Sequence, residues 1–522
     1  MPTPNGIDDK SLNEKNSEDT LSNGVIKTPT KLLSLWDAIS LIFGIIIGAS
    51  IYQAPPEIFR NVPSPETGML AWIVGGIVCL LGALTYAELA STFRNSGGDY
   101  YYLSRAYGSS IGFIFAWSEL SVIRTGGSIA FMAYVFAGYA DHFYSLGNNS
   151  KLIYASSSIV LLTLINSQGF RMGRLLQNLL TSANIIGLCI LILIGFFCYF
   201  FGQSPLTDSE RIAVEISSVT AEFASPTLHA SQIASKAFSL PEILSPSLAL
   251  AMVLVFYAYG GWNEAAFIAG EVKNPERNIT RSLVLGTLLV GVLYTLVNLA
   301  YLSALGYSGT VKSKAIAADV FAIPFGESGR KGISILVMSS ALGSINGLLF
   351  TGMRLYGTFG KDHRLFSWLS GKDGTQQRNL GALYAQAIFS LFLILVVELA
   401  AEWRSLLVYL AKNFAITLSD DFHKHGGIYR LVTCTAPIFW LFFLLTGLSL
   451  FVLRYREPEI ERSFRVPLYP WIPGIFCFSC AFMLYRSSMY AIDEEPAEAI
   501  IVGLLIFMAF PLWFLSGKEK EE

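Results

Sequence analysis

Gly44-Ile45-Ile46-Ile47-Gly48-Ala49-Ser50 interrupts one long apolar segment, and Tyr257-Ala258-Tyr259-Gly260-Gly261-Trp262-Asn263 interrupts another. Hydrocarbon offers no water to pair a freed N–H or C=O, so a helix broken at mid-membrane persists only where it lines a cavity. Gly-interrupted spans at matching places in two halves of a chain mark the binding site of a secondary transporter. These two strings set the reading: a polytopic membrane protein with a polar site between two discontinuous helices.

The rest of the chain fits around them. Of 522 residues, 53% are hydrophobic and 14% charged, too apolar a balance for a soluble enzyme. Apolar runs of the ~20 residues that cross a ~30 Å hydrocarbon core recur along its length. They predict an all-α protein of twelve spans, over 34–59, 69–93, 111–141, 152–169, 175–201, 245–270, 280–306, 332–360, 380–400, 431–453, 471–490 and 497–515. A net charge of −2 gives no reason to expect nucleic acid as a partner; membrane lipid is the expected surrounding. Six cysteines lie in apolar stretches, which predicts buried free thiols. Asp420-Asp421-Phe422-His423-Lys424-His425 is read as a solvated external loop, and no metal or cofactor is expected. No H-E-x-x-H, P-loop, G-x-S-x-G or dinucleotide motif suggests an enzyme.

Lys and Arg crowd alternate loops: Arg94 and Arg105, Arg171 and Arg174, Lys273, Arg277 and Arg281, Lys361 and Arg364, then Arg454, Arg456, Arg462 and Arg465. By the positive-inside rule both termini face the cytoplasm of a plasma (inner) membrane. Residues 1–33 form a polar, disordered N-terminus without a cleaved signal peptide, and 516–522 a cytoplasmic tail. Between the ninth and tenth spans, 403–430 reads as an external insertion whose short apolar part, 406–416, suits a re-entrant or interfacial helix.

Several strings coincide with one family. Gly44 to Tyr52 resembles the first-helix glycine motif of L-type amino acid transporters. Gly82-Ala83-Leu84-Thr85-Tyr86-Ala87-Glu88-Leu89 with Ser96-Gly97-Gly98-Asp99-Tyr100 is similar to their second helix and its cytoplasmic turn. Phe256 to Asn263, running on to Gly270-Glu271-Val272-Lys273-Asn274-Pro275-Glu276-Arg277-Asn278, resembles their sixth helix and exit loop, and Gly343-Ser344-Ile345-Asn346-Gly347 with Arg354 their eighth. The resemblance covers 34–515 and places the chain in the amino acid–polyamine–organocation superfamily, near its prokaryotic-type members. It implies a LeuT-like fold, with core 34–453 holding inverted repeats 34–201 and 245–453, and two appended helices in 471–515. It also implies alternating access by one bundle rocking on another.

Broken helices suit a zwitterion. The half-helix starting after a break presents N–H groups and a positive dipole end to a carboxylate, and the half-helix ending there presents carbonyls to an ammonium. The expected substrate residues are Ile46, Gly48, Ala49, Ser50, Tyr257, Tyr259, Gly260 and Asn263, with N–H groups around Gly48, Ala49 and Ser50 as donors and carbonyls near Ile46, Tyr257 and Tyr259 as acceptors. Where the family carries Gly-Ser-Gly this chain has Gly48-Ala49-Ser50, which narrows the cradle by a Cβ. Gly44 and Gly48, four apart, also fit plain close packing of helices. The resemblance makes Tyr257 an aromatic gate.

Other intramembrane polar residues are candidates for coupling or for the pocket. Glu264 faces water, biases the pocket toward cations, or carries a proton. Glu119 and Arg124 are five apart, off the usual helical spacing, and form either a structural ion pair or part of the transport machinery. The resemblance puts Asn184 where many relatives have a lysine that stands in for sodium, leaving sodium near Ser340 or Ser344, or ion-free exchange, both open. The loop 141–151 has no cysteine, so by the same resemblance no disulfide-linked heavy chain is expected. The expected function is secondary transport or exchange of L-amino acids, neutral and large. The alternatives are a polyamine or cationic amine carrier, and a transporter-like amino acid sensor.

Overall fold

The computed structural model describes residues 33–201, 245–371, 379–413, 427–494 and 496–517. The histidine-containing string at 420–425 lies outside these, as do 1–32 and 518–522. The described residues are helical, with one isolated bridge, Leu33 to Val272.

The first expected span is two helices. α1 (Leu35–Ile46) starts on a capping box, Ser34 accepting from the Asp37 N–H while the Asp37 carboxylate accepts from the Ser34 N–H. It stops at Ile46, and α2 (Ser50–Arg60) resumes at an angle of 45°. Next come α3 (Pro65–Thr92) and the short α4 (Asp99–Tyr107). The third span, Ser109–Phe143, has three parts: α5 (Ser109–Ser118), a π-helical stretch Glu119–Ala130, and α6 (Phe131–Phe143). α7 (Ser150–Ser167) and α8 (Phe170–Phe200) complete the first half.

The second half opens with the other break. α9 (Pro246–Tyr259) ends at Gly260, and a 3-10 helix, Trp262–Glu271, follows. Gly261, at φ 103°, takes a left-handed conformation that disfavours any side chain. Trp262 then pins the lower half-span: it stacks on Phe443 at 5.2 Å and meets the edge of Tyr86 at 4.9 Å. The remaining helices are α10 (Pro275–Lys312), α11 (Ile316–Asp362), α12 (Leu380–Asn413), α13 (Gly427–Arg456), α14 (Trp471–Glu494), α15 (Pro496–Phe507) and α16 (Ala509–Ser516).

Among the described residues, eight helices are long and apolar enough to cross a membrane, nine with the bent first pair. Helices also occupy the fourth, sixth and ninth expected positions, but the first is too polar, the second broken and the apolar part of the third short. One boundary differs from expectation. α12 runs without interruption to Asn413, so 403–413 continues the ninth span and does not begin a separate re-entrant helix. The cysteine reading needs one amendment: five of the six are buried, but Cys189 on α8 is exposed.

Candidate functional site

The two breaks meet. Ile45 packs against Gly261 so closely that a Cβ there would come within 2.4 Å of Ile45 Cγ2. Between them opens a cavity of about 110 Å³, several times the ~10–15 Å³ that one water needs. Its wall includes Ile46 and Ser50 from the first break and Tyr257, Gly260, Asn263 and Glu264 from the second. The third span supplies Glu119 and Arg124, α11 supplies Ser344, and α13 supplies Phe439 and Trp440.

Of the residues singled out in the sequence, Ile46, Ser50, Glu119, Arg124, Tyr257, Gly260, Asn263, Glu264 and Ser344 line this cavity. Gly48, Ala49 and Tyr259 do not line this cavity. The Gly48 N–H donates to Ile46 O at 2.6 Å, so the free donors at this break follow it, at Ala49 and in the first turn of α2 from Ser50, which no side chain caps. Tyr259 points away and its hydroxyl donates to Trp72 O at 3.1 Å. Asn184 lies beside Gly343, wholly buried, with neither amide atom hydrogen-bonded.

Many carbonyls freed by the first break already have partners. Ser344 Oγ lies 3.0 Å from Gly44 O and 3.2 Å from Ile45 O, and Ser340 Oγ donates to Ile47 O at 2.6 Å. Tyr294 on α10 went unnoticed in the sequence, yet its hydroxyl lies 2.6 Å from Ile46 O and 3.2 Å from Ala258 O, one from each broken helix. Nothing in its local context, Gly291-Val292-Leu293-Tyr294, marks it out. Tyr257 lines the cavity, and its hydroxyl donates to Gly127 O at 3.1 Å.

Glu119, Arg124 and Glu264 form a single cluster. Arg124 Nε donates to Glu119 Oε2 at 3.1 Å. Its Nη1 and Nη2 grip both oxygens of Glu264, at 3.1 and 3.0 Å, and Nη1 also reaches Thr351 Oγ1 at 3.0 Å. The guanidinium lies 5.2 Å from the Phe267 ring and is 2% exposed. The five-residue spacing that looked awkward is the natural one here, because a π-helix places i and i+5 over one another.

Further pairs tie the side bearing the Lys/Arg-rich loops. Arg354 holds Glu271 by two bonds of 3.1 Å, both groups buried. Leu33 clamps the same loop, donating to Glu271 O and accepting from the Lys273 N–H. Glu88 accepts from Arg454 and from the Val466 N–H. Asn263 donates to Asp99 Oδ2 at 3.0 Å, and burial pushes the Asp99 carboxyl up to about 6.

A multi-pass helical protein with a cavity between two broken spans, lined in part by charged side chains, belongs to the class of membrane transporters, not enzymes. A family model described as amino acid permease matches residues 33–510, and the chain belongs to that family, whose fold is LeuT-like. The chain is similar to b(0,+)-type amino acid transporter 1 of Mus musculus, 26% identical over 494 residues, covering 93% of this chain and 88% of the relative. It is similar also to the cystine/glutamate transporter of Homo sapiens, 28% identical over 501 residues, with 94% and 88% covered. A third relative, Asc-type amino acid transporter 1 of Mus musculus, is 27% identical over 497 residues, with 93% and 81% covered.

Proposed function

We propose that the chain is a secondary transporter or exchanger of L-amino acids, set in a plasma (inner) membrane with both termini cytoplasmic. The observation that carries this is the shared cavity of the two breaks. The first turn of α2, at Ser50, offers N–H groups and the positive end of a helix dipole to the substrate carboxylate. Ile46 O already accepts from Gly48 and Tyr294, so the ammonium falls to the second lone pair of the Tyr257 carbonyl, whose first takes the Gly260 N–H, while Gly260 and Asn263 shape the wall. Gly48 and Ala49 act through their backbone by turning α1 into α2.

Alternating access fits the asymmetry of the ties. Buried ion pairs such as Arg354–Glu271 fasten the Lys/Arg-rich side, so this conformation is closed toward the cytoplasm, and one bundle rocks on the other to open it. The relatives' printed names all specify amino acids, in line with this cargo. The loop 141–151, which has no cysteine, suits a carrier without a disulfide-linked partner.

The test is counterflow in liposomes holding the purified full-length protein. Labelled amino acid is expected to accumulate when unlabelled amino acid is inside, and to enter empty liposomes far more slowly. No accumulation of any amino acid, with internal load or with a sodium or proton gradient, would overturn the reading.

A further inference from the structure

The cavity carries a charge that its own residues do not cancel. Glu119 and Glu264 contribute two carboxylates and Arg124 one guanidinium, so the ionised cluster has a formal charge of −1. Among the described residues lining the cavity, Arg124 is the one cation. An uncompensated charge out of water is strongly unfavourable, and something must neutralise it when the cavity closes.

The geometry separates the roles of the two acids. Glu264 has both oxygens engaged by the Arg124 fork. Glu119 has one: Oε2 meets Nε, while Oε1 accepts no hydrogen bond from the described residues, on a side chain 10% exposed that lines the cavity. Arg124 is also unsuited to a substrate carboxylate, which would have to displace Glu264 from it. The same cavity presents the rings of Phe256, Phe439 and Trp440, whose faces attract cations.

We propose that Glu119 Oε1 receives a second positive charge, carried on the substrate's side chain, so that the cargo is an L-amino acid of the lysine, ornithine or arginine class. This rests on the amino acid carrier reading and replaces the neutral cargo expected from the sequence. Glu119 binds; Arg124 is a positioning residue that orients Glu119 and cancels Glu264.

The experiment is competition against labelled lysine influx into preloaded liposomes containing the full-length protein. The competitors are unlabelled lysine, norleucine (the same chain length without the ammonium), glutamate and cadaverine. Lysine is expected to compete at least ten-fold better than norleucine, and glutamate not at all. Glu119→Gln should lower the preference for lysine over norleucine ten-fold or more, with Glu119→Asp restoring part of it. Norleucine matching lysine, glutamate competing best, or a Glu119→Gln protein that keeps the preference would each overturn the proposal. So would neutral amino acid influx that carries protons inward, which makes Glu119 a proton site. If the variants do not reach the membrane, the wild-type competition series decides alone. Influx of no labelled amino acid at all is a different failure, that of the carrier reading; cadaverine equalling lysine overturns the amino acid assignment, since it lacks the carboxylate.

Discussion

Gly261 shows how much of the site hangs on one backbone angle. At φ 103° a Cβ costs roughly 1–2 kcal/mol in backbone strain alone. At this position it would also strike Ile45 in the facing break. Gly261→Ala should therefore lower the thermal unfolding midpoint and abolish uptake, because the two broken helices can no longer close on each other. Gly291 is the control. A Cβ there meets nothing within 4 Å, so Gly291→Ala should leave both midpoint and uptake near wild type. Equal damage from both substitutions would show that the closeness of the breaks is unimportant. Tyr294 acts at the same scale, bridging carbonyls from both breaks with one hydroxyl.

At the scale of elements, the third span decides the electrostatics of the cavity. Glu119–Ala130 is π-helical, and extra residues per turn free carbonyls from the usual ladder. Tyr257 takes Gly127 O, and the Thr125 hydroxyl takes Leu120 O, five residues back. In an ordinary α-helix, Arg at position 123 would face Glu119 better than Arg at 124. The exchange Ile123→Arg with Arg124→Ile tests which register holds. A π register predicts a loss of about 3–5 kcal/mol, the usual result of stranding a buried charge. Thermal unfolding of the purified protein measures it, and a swap as stable as wild type would exclude the π-helical arrangement.

For the whole molecule, the key feature is that the ties are unevenly distributed. Arg354–Glu271, the Leu33 clamp and the Glu88 cluster all lie toward the Lys/Arg-rich loops. Arg354→Ala leaves Glu271 buried and unpaired, which costs about 3–5 kcal/mol in this conformation and favours one where Glu271 reaches water. A cysteine introduced at Thr358, whose hydroxyl now donates to Ser96 O, reports the change. In inside-out membranes, Arg354→Ala should raise its labelling by an impermeant maleimide several-fold. Unchanged labelling would mean that the pair does not hold this side shut.

The amino-acid sequence by itself determined the membrane-spanning class and the two broken helices, and it named several of the residues that line the cavity. Those signals are local: apolar runs, paired glycines and loop charge each act within about twenty residues. Ser50, Tyr257, Gly260 and Asn263 could be picked from them because each sits beside a break. Only the tertiary structure decided what Glu264 does, since its partner is 140 residues away. The same holds for Tyr294, an unremarkable aromatic until two distant carbonyls converge on it. It also withdrew Gly48, Ala49 and Tyr259 from the cavity wall, because the direction a residue faces after a helix breaks depends on what the other helices leave open.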